Sequence, residues 1–222
     1  MATQALDRFH IPDHVPPELV LPVQIAEGDE FLAAPHAYMA RLHEWCPPVF
    51  YRTTPQAGGG CWTLIKHEDA LFMLRHPELF HNRAATPFPR EEDFKFIPIE
   101  IDPPDHRKYR NILDPLFSPQ GVAKLEATIR QRANDLIDRF VGDRKTGGEC
   151  EFTTAFDRPR KTILAFTVGV HSCMGAHLAR LEITVALQEW LRRIPDFALK
   201  PGAEIVYRPG GVIGPKKLPL IW

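Results

Sequence analysis

One stretch with a single cysteine constrains the fold of this chain more than any other feature. Cys173 lies directly before a run of residues with helical periodicity, and Gly169, His171 and Gly175 surround it. The free N–H groups and the dipole at the start of a helix stabilise an anion, and the thiolate is the form of cysteine that binds a metal. The stretch therefore predicts a turn that presents a sulfur ligand at the start of a helix.

The residues alone leave three interpretations of Cys173 open. It could be a buried structural cysteine, because unpaired cysteines are among the most buried residues. It could be a zinc ligand together with His171 and His177, although a closed zinc site needs a fourth ligand and none lies nearby in the sequence. It could also be the thiolate ligand of a haem iron. Gly169 and Gly175 would then let the backbone approach a flat ligand.

A second motif lies earlier in the chain, at residues 102–110. Asp102 is expected to be the N-cap of a helix, and Pro103 to occupy its first turn, where a missing N–H costs nothing. His106 and Arg110 are four residues apart and therefore share one face of this helix. An imidazole beside a guanidinium suits an anionic ligand group, and the alternative is an ordinary solvated helix face.

Both motifs resemble parts of one protein family. The pattern Phe-x-x-Gly-x-His-x-Cys-x-Gly, followed by Ala-x-Leu-Ala-Arg, resembles the cysteine-ligand loop of the cytochrome P450 enzymes, with Phe166 as its first residue and Arg180 as its last. Thr167 stands where that family usually has a glycine, which is expected to strain the turn. Residues 102–110 are similar to the segment that opens a helix against the haem propionates in soluble bacterial members.

The resemblance implies a haem-thiolate site. Haem b would be the cofactor, and Cys173 would be the axial ligand of its iron. His106, Arg110 and His171 would contact the propionates, and Phe166 would pack near the thiolate. The cofactor-binding residues implied in this way are His106, Arg110, Phe166, Gly169, His171 and Gly175, with Cys173 as the metal ligand.

Hydrophobic periodicity predicts several elements independently of the resemblance. Strands are expected at residues 49–52 and 61–65, with a glycine-rich turn between them. A helix is expected at residues 66–75, since acidic residues lie in its first turn. The most regular apolar stripe runs from Val122 to Phe140 and predicts one long helix, which Pro115 helps to separate from the preceding helix.

The resemblance predicts a fold class that is mainly α with a small β part, a truncated cytochrome P450-like fold. Residues 1–156 would form an N-terminal block and residues 157–222 a C-terminal block, together one domain. Between these blocks, family members carry a long helix over the distal face of the haem and a Glu-x-x-Arg helix. Glu189-Trp-Leu-Arg192 has the letters of the second helix but lies after Cys173. An internal deletion near residues 150–160 would account for the absence of both helices.

The function that the resemblance implies is monooxygenation. A haem-thiolate enzyme would insert one oxygen atom from O2 into a small organic substrate, and a ferredoxin-type or other electron-donor protein would supply electrons. The substrate is expected to be small and apolar, with contacts from residues 83–99, Val212 and Ile213. The alternative is a non-catalytic haem-binding or inert remnant, because the segment that manages oxygen protonation is missing. No catalytic residue is therefore assigned.

Composition excludes several classes of partner. The formal net charge of −1 over 222 residues gives no electrostatic bias towards nucleic acid or an anionic membrane. No apolar run is long enough to span a bilayer, and the first residues lack the apolar region of a secretory signal. The four cysteines are scattered, which is typical of a reducing compartment, so the cytoplasm is the expected location.

Overall fold

The described residues form two hydrophobic cores, and each belongs to its own unit. Unit one comprises residues 1–107, 167–171 and 209–213, and unit two comprises residues 108–166, 172–208 and 214–222. The division into blocks 1–156 and 157–222 stays a prediction. The computed structural model describes residues 11–26, 28–54, 59–83, 95–141, 148–151, 164–208 and 213–222.

Helices dominate the described residues, and the strands are short. The elements up to the start of unit two are β1 (Val20–Leu21), α1 (Asp29–Ala33), α2 (Pro35–Trp45), β2 (Val49–Thr54), β3 (Gly59–Leu64), α3 (His67–Arg75) and α4 (His106–Phe117). Those that follow are α5 (Pro119–Ala123), α6 (Glu126–Asp138), β4 (Glu149–Glu151), α7 (Ala176–Arg193), β5 (Ala198–Leu199) and β6 (Pro219–Ile221). The predicted class, mainly α with a small β part, is confirmed. Among the described residues, no helix has both the length and the hydropathy needed to cross a membrane.

The sheet of unit one is built around β2. β1 lies parallel to β2, and β3 lies antiparallel to it, in register from Val49 opposite Leu64 to Thr54 opposite Gly59. Fully burying one large apolar side chain in such a core contributes about 1.5–3 kcal/mol. The predicted strand pair and the helix at 66–75 are confirmed, with α3 beginning one residue later. The buried core residues are Val23, Leu42, Cys46, Phe50 and Ile65.

The region after α4 differs from the sequence prediction. The apolar stripe from Val122 to Phe140 does not form one helix, because the chain leaves the helix at Lys124 between α5 and α6. Leu125 and Leu136 of that stripe are exposed. The apolar stripe is wider than the face that the helix buries, so residues at its margins remain in solvent.

Pro115 does not end α4 either. The helix continues to Phe117 with the proline inside it, because a proline removes one backbone hydrogen bond without always stopping a helix. The side chain of Ser118 then separates the two helices. It accepts a hydrogen bond from the N–H of Gly121 at 3.1 Å and caps α5.

The core of unit two forms around Trp190 on α7, which is 2% exposed. Its ring centroid lies 5.8 Å from that of Phe140, 5.6 Å from that of Phe197 and 5.9 Å from that of Trp222. Edge-to-face aromatic pairs add about 0.5–1.5 kcal/mol each beyond burial. β6 pairs antiparallel with both β4 and β5, so the sheet order is β4-β6-β5.

A buried carboxylate joins α6 to α7 in unit two. Glu189 is 5% exposed, and it accepts hydrogen bonds from Arg130 Nη1 at 2.7 Å and Arg192 Nε at 3.0 Å. These bonds, from Arg130 first and Arg192 second, lower the pKa of Glu189 to about 2. Each arginine bonds a different oxygen, so the carboxylate is satisfied by charged donors on both sides.

Candidate functional site

The cysteine loop runs from Phe166 to Gly175 and ends where α7 begins. The N–H of Cys173 donates to the carbonyl of Phe166 at 2.8 Å and closes the loop. The Cys173 side chain is exposed, so the interpretation as a buried structural cysteine is wrong. A Cβ at Gly175 would lie 3.8 Å from Cys173 Sγ. The glycine therefore keeps the space beside the sulfur open.

Two residues with positive φ shape the middle of the loop. Thr167 has φ 52° and Gly169 has φ 75°. The threonine conformation costs about 1–2 kcal/mol, and the hydrogen bond from Thr167 Oγ1 to the His171 carbonyl, 2.7 Å long, offsets part of it. A Cβ on Gly169 would lie 2.3 Å from the carbonyl oxygen of Leu74, so this position requires glycine. Gly175 has φ −72°, which any residue adopts.

Two imidazoles contact one carboxylate in unit one, and a third imidazole lies against one of them. Oδ1 of Asp102 lies 3.3 Å from His171 Nε2, and Oδ2 lies 3.3 Å from His81 Nδ1. The ring centroids of His106 and His171 are 4.5 Å apart. His106 is buried, the side chains of Asp102 and His171 are largely buried, and that of His81 is half exposed. The structure thus brings together the two histidines that the sequence analysis selected.

Nδ1 of His171 is the unsatisfied atom of this cluster. It is buried and has no hydrogen-bond partner among the described residues. Leaving a buried polar group unpaired costs about 1–3 kcal/mol, and most such groups are paired. This nitrogen therefore marks a point at which a polar group of a ligand would complete the cluster.

Asp102 does not cap α4 as predicted, because the helix begins only at His106. Its carboxylate instead accepts hydrogen bonds from the N–H of Asn82, at 3.1 and 3.2 Å from its two oxygens. Burial raises the pKa of Asp102, but the hydrogen bonds from Asn82, His171 and His81 outweigh that effect and hold the pKa below its usual value. A negative charge therefore lies directly beside the His171 ring.

Arg110 links α4 to the cysteine loop within unit two. Its Nη1 donates to the carbonyl oxygen of Ser172 at 2.7 Å, and its Nε donates to Asp114 Oδ1 at 2.8 Å. On the other side of the loop, the guanidinium of Arg180 lies 4.8 Å from the ring centroid of Phe166, a cation–π contact. Sequence reasoning missed Asp114, although its spacing of four residues from Arg110 was a usable signal.

The predicted site residues fall into two groups. In unit one these are His106, Gly169 and His171, and in unit two they are Arg110, Phe166, Cys173 and Gly175. Residues 84–94 and Val212, which were expected to contact substrate, lie outside the described residues. Residues 152–160, at the predicted join, also lie outside them.

The zinc interpretation finds no support in the described residues. No group of three or more His, Cys, Asp or Glu side chains among them is arranged to hold a metal ion. His177, the third ligand of that hypothesis, is exposed on α7. A haem iron can take a single thiolate as its protein ligand, so the exposed sulfur of Cys173 fits this metal better.

Known proteins with a similar sequence come from one family. The chain is 34% identical over 182 residues to a probable cytochrome P450 127A1 from Sinorhizobium fredii, which covers 79% of this chain and 42% of that protein. It is 29% identical over 200 residues to the cytochrome P450 monooxygenase PikC from Streptomyces venezuelae, with 88% and 42% covered. The chain therefore spans about two fifths of the length of these relatives. No family model matches the sequence.

Solved structures of the same family share the fold. The crystal structure of cytochrome P450 CYP101C1 matches with a TM-score of 0.79 and 15% identity, over 96% of this chain and 100% of that chain. The crystal structure of CYP101J2 matches with a TM-score of 0.76 and 17% identity, over 96% of this chain and 99% of that chain. At so low an identity, this likeness shows the fold alone.

Proposed function

Because this chain is a relative of the cytochrome P450s and has their fold, we propose that it is a haem-thiolate monooxygenase. It would insert one oxygen atom from O2 into a small organic substrate, with haem b as its cofactor. The observation that carries this proposal is the cysteine loop, in which an exposed Cys173 thiol lies three residues before Ala176, the first residue of α7.

Each unit contains residues whose chemistry suits a part of a haem group. Cys173 would hold the iron through its sulfur. The buried Nδ1 of His171, which has no partner among the described residues, would find one in a propionate group. His106, beside that ring, and Arg110 are the other proposed propionate contacts. Gly175 leaves the space beside the sulfur that a flat macrocycle requires.

A bound haem would supply the activation of dioxygen, which an axial thiolate favours by donating electron density. The chain would supply binding, orientation and electrostatics. Cys173 would hold the iron in place. Phe166, with Arg180 over its ring, would place an apolar surface near the sulfur and limit the access of water. Asp102 would hold the His171 ring by its Nε2 side, and a second contact from Nδ1 to a propionate requires the doubly protonated ring, in which both nitrogens donate.

The remaining proposals concern partners and location. Electrons would come from a ferredoxin-type or other electron-donor protein, and the substrate would be small and apolar. All four cysteines are free thiols, which agrees with a reducing compartment, and the cytoplasm is the proposed location.

The carbon monoxide spectrum of the reduced, haem-reconstituted protein tests the site. We expect the red-shifted Soret band of thiolate ligation in the wild type and in Cys61→Ala, which removes another partly exposed free thiol. We expect this band to be absent from Cys173→Ala. No haem uptake by the wild type, or the same band in Cys173→Ala, would refute the proposal.

A non-catalytic haem-binding or inert remnant is the second candidate. It is favoured by the length of the chain, which covers only 42% of the relative from Sinorhizobium fredii, and we infer that an internal deletion removed the central helices. A turnover assay with a surrogate ferredoxin, its reductase and isotopically labelled dioxygen separates the candidates. Labelled product supports the monooxygenase, whereas a thiolate-type spectrum without any product supports the haem-binding alternative.

A further inference from the structure

The guanidinium of Arg110 is engaged with protein groups of unit two. Its Nη1 bonds the carbonyl of Ser172, the residue directly before the cysteine, and its Nε bonds Asp114. The Arg110 side chain is 18% exposed and that of Asp114 is 47% exposed. A largely buried guanidinium, oriented by a carboxylate on its own helix, therefore contacts the backbone of the cysteine loop.

The peptide group that enters Cys173 is held at both of its polar atoms. Arg110 bonds its carbonyl oxygen, which belongs to Ser172, and the Phe166 carbonyl accepts from its N–H at 2.8 Å. Because a peptide group is planar, hydrogen bonds at both ends of the plane oppose its rotation. Such rotation would redirect the Cα–Cβ bond of Cys173 and move the sulfur.

We propose that Arg110 is a positioning residue for Cys173 and that Asp114 orients Arg110. The inference rests on the proposed function, since the sulfur needs a fixed direction in order to bind iron. The guanidinium suits this role because its donors lie in a rigid plane, so that a bond at Nε fixes the direction of the N–H groups at Nη1. This role is additional to the propionate contact that the family resemblance assigns to Arg110, and the two roles have different consequences.

Binding of haem and of haem dimethyl ester, whose propionates are esterified, distinguishes the two roles. We expect Arg110→Gln to weaken binding of both ligands, and that of the dimethyl ester about tenfold or more, because a charge-assisted hydrogen bond to the loop is lost. The reduced, carbon monoxide-bound variant should also lose part of the thiolate-type Soret band. A loss of affinity for haem but not for its dimethyl ester would show that Arg110 acts through the propionates alone and would overturn the proposal.

Arg193→Gln is the matched control. The Arg193 side chain is 17% exposed, pairs with Asp138 and donates to the carbonyl of Asn134 at 3.4 Å. Among the described residues, no hydrogen bond or ion pair joins it to the cysteine loop. We expect this variant to bind both ligands as the wild type does. If Arg193→Gln and Arg110→Gln lose the same affinity for the two ligands, the effect of Arg110→Gln reflects a general loss of stability. That result would also overturn the proposal.

Amide hydrogen exchange of the haem-free protein tests the same contact without the cofactor. Peptides covering residues 166–176 should exchange faster in Arg110→Gln, less so in Asp114→Asn, and at the wild-type rate in Arg193→Gln. Unchanged exchange in Arg110→Gln would overturn the positioning role even if haem binds normally. If the wild type takes up no haem, the proposed function fails, while the exchange rates still decide whether Arg110 fixes the loop.

Discussion

Glu189 in unit two and Asp102 in unit one are both carboxylates with a lowered pKa, yet their partners differ in kind. Glu189 is bonded by the guanidinium groups of Arg130 and Arg192, which remain charged at every pH at which the protein folds. Asp102 faces the imidazoles of His171 and His81 and the N–H of Asn82. The first carboxylate therefore has permanent cations and the second has neighbours whose charge can change.

The two clusters also differ in completeness. Arginines satisfy both oxygens of Glu189, whereas the cluster of Asp102 contains the buried Nδ1 of His171, which has no partner among the described residues. A complete cluster holds elements together, but an incomplete one costs stability unless a ligand completes it. Glu189 therefore stabilises the fold of unit two, whereas a role of Asp102 in ligand binding is a hypothesis that the following substitutions test.

The largest expected effect on stability comes from Glu189→Ala. It removes the acceptor shared by Arg130 and Arg192 and breaks the link between α6 and α7, so we expect the melting temperature to fall by several degrees. Thermal unfolding followed by circular dichroism measures this change. Glu126→Ala is the control, because Glu126 also bonds Arg130, at 2.8 Å, but is half exposed. Equal falls in melting temperature for Glu189→Ala and Glu126→Ala would mean that Glu189 stabilises the fold no more than a half-exposed carboxylate does. The distinction between the Glu189 and Asp102 clusters would then be lost.

Asp102→Asn should lower the melting temperature less than Glu189→Ala does, because the asparagine can still accept from Asn82. Its main effect should be on haem, with binding weakened roughly tenfold, the cost typical of losing a residue that orients another ligand contact. Haem titration measures the affinity, and Asp138→Asn, which removes a carboxylate paired with Arg193, is the control. A large loss of stability with unchanged haem affinity would assign Asp102 to the fold instead.

The smallest expected effect appears in acid. The pKa of Glu189 falls from 4.5 to about 2 on folding, so its stabilising contribution is complete above pH 4.5 and is lost as the pH falls towards 2. The difference in melting temperature between the wild type and Glu189→Gln should therefore be constant from neutral pH to about 4.5 and shrink below it. A difference that already shrinks between pH 7 and 5 would contradict the strength of the arginine contacts.

Local spacing predicted the residues of the cysteine loop and much of unit one. Cys173 before a helix, His106 beside Arg110 and the strand pair around β2 are short-range patterns, and the structure has the described loop and elements where they were expected. Strain at Thr167 was also foreseeable, since this threonine stands where the resemblance expects glycine, and it has φ 52°.

Contacts between distant residues could not be predicted in this way. Asp102 and His171 meet across the chain, and no pattern in either segment signals the other. The same is true of Arg130 and Glu189, which lie on different helices. Glu189 and Arg192 were set aside because they follow Cys173, yet they do form an ion pair within α7, and Arg130 completes it. Polar clusters of this kind depend on tertiary packing that single-sequence periodicity does not contain.

The two sheets can form at different stages of synthesis at the ribosome. β1, β2 and β3 are complete once Leu64 has been made, whereas Cys150 of β4 cannot pair until Leu220 of β6 has emerged. Strands that are far apart in the sequence pair slowly, and a strand edge that is still unpaired is prone to aggregation. A nascent chain would thus acquire the sheet of unit one early and carry β4 unpaired until β6 has been made, so that unit two would be the part that depends more on chaperones.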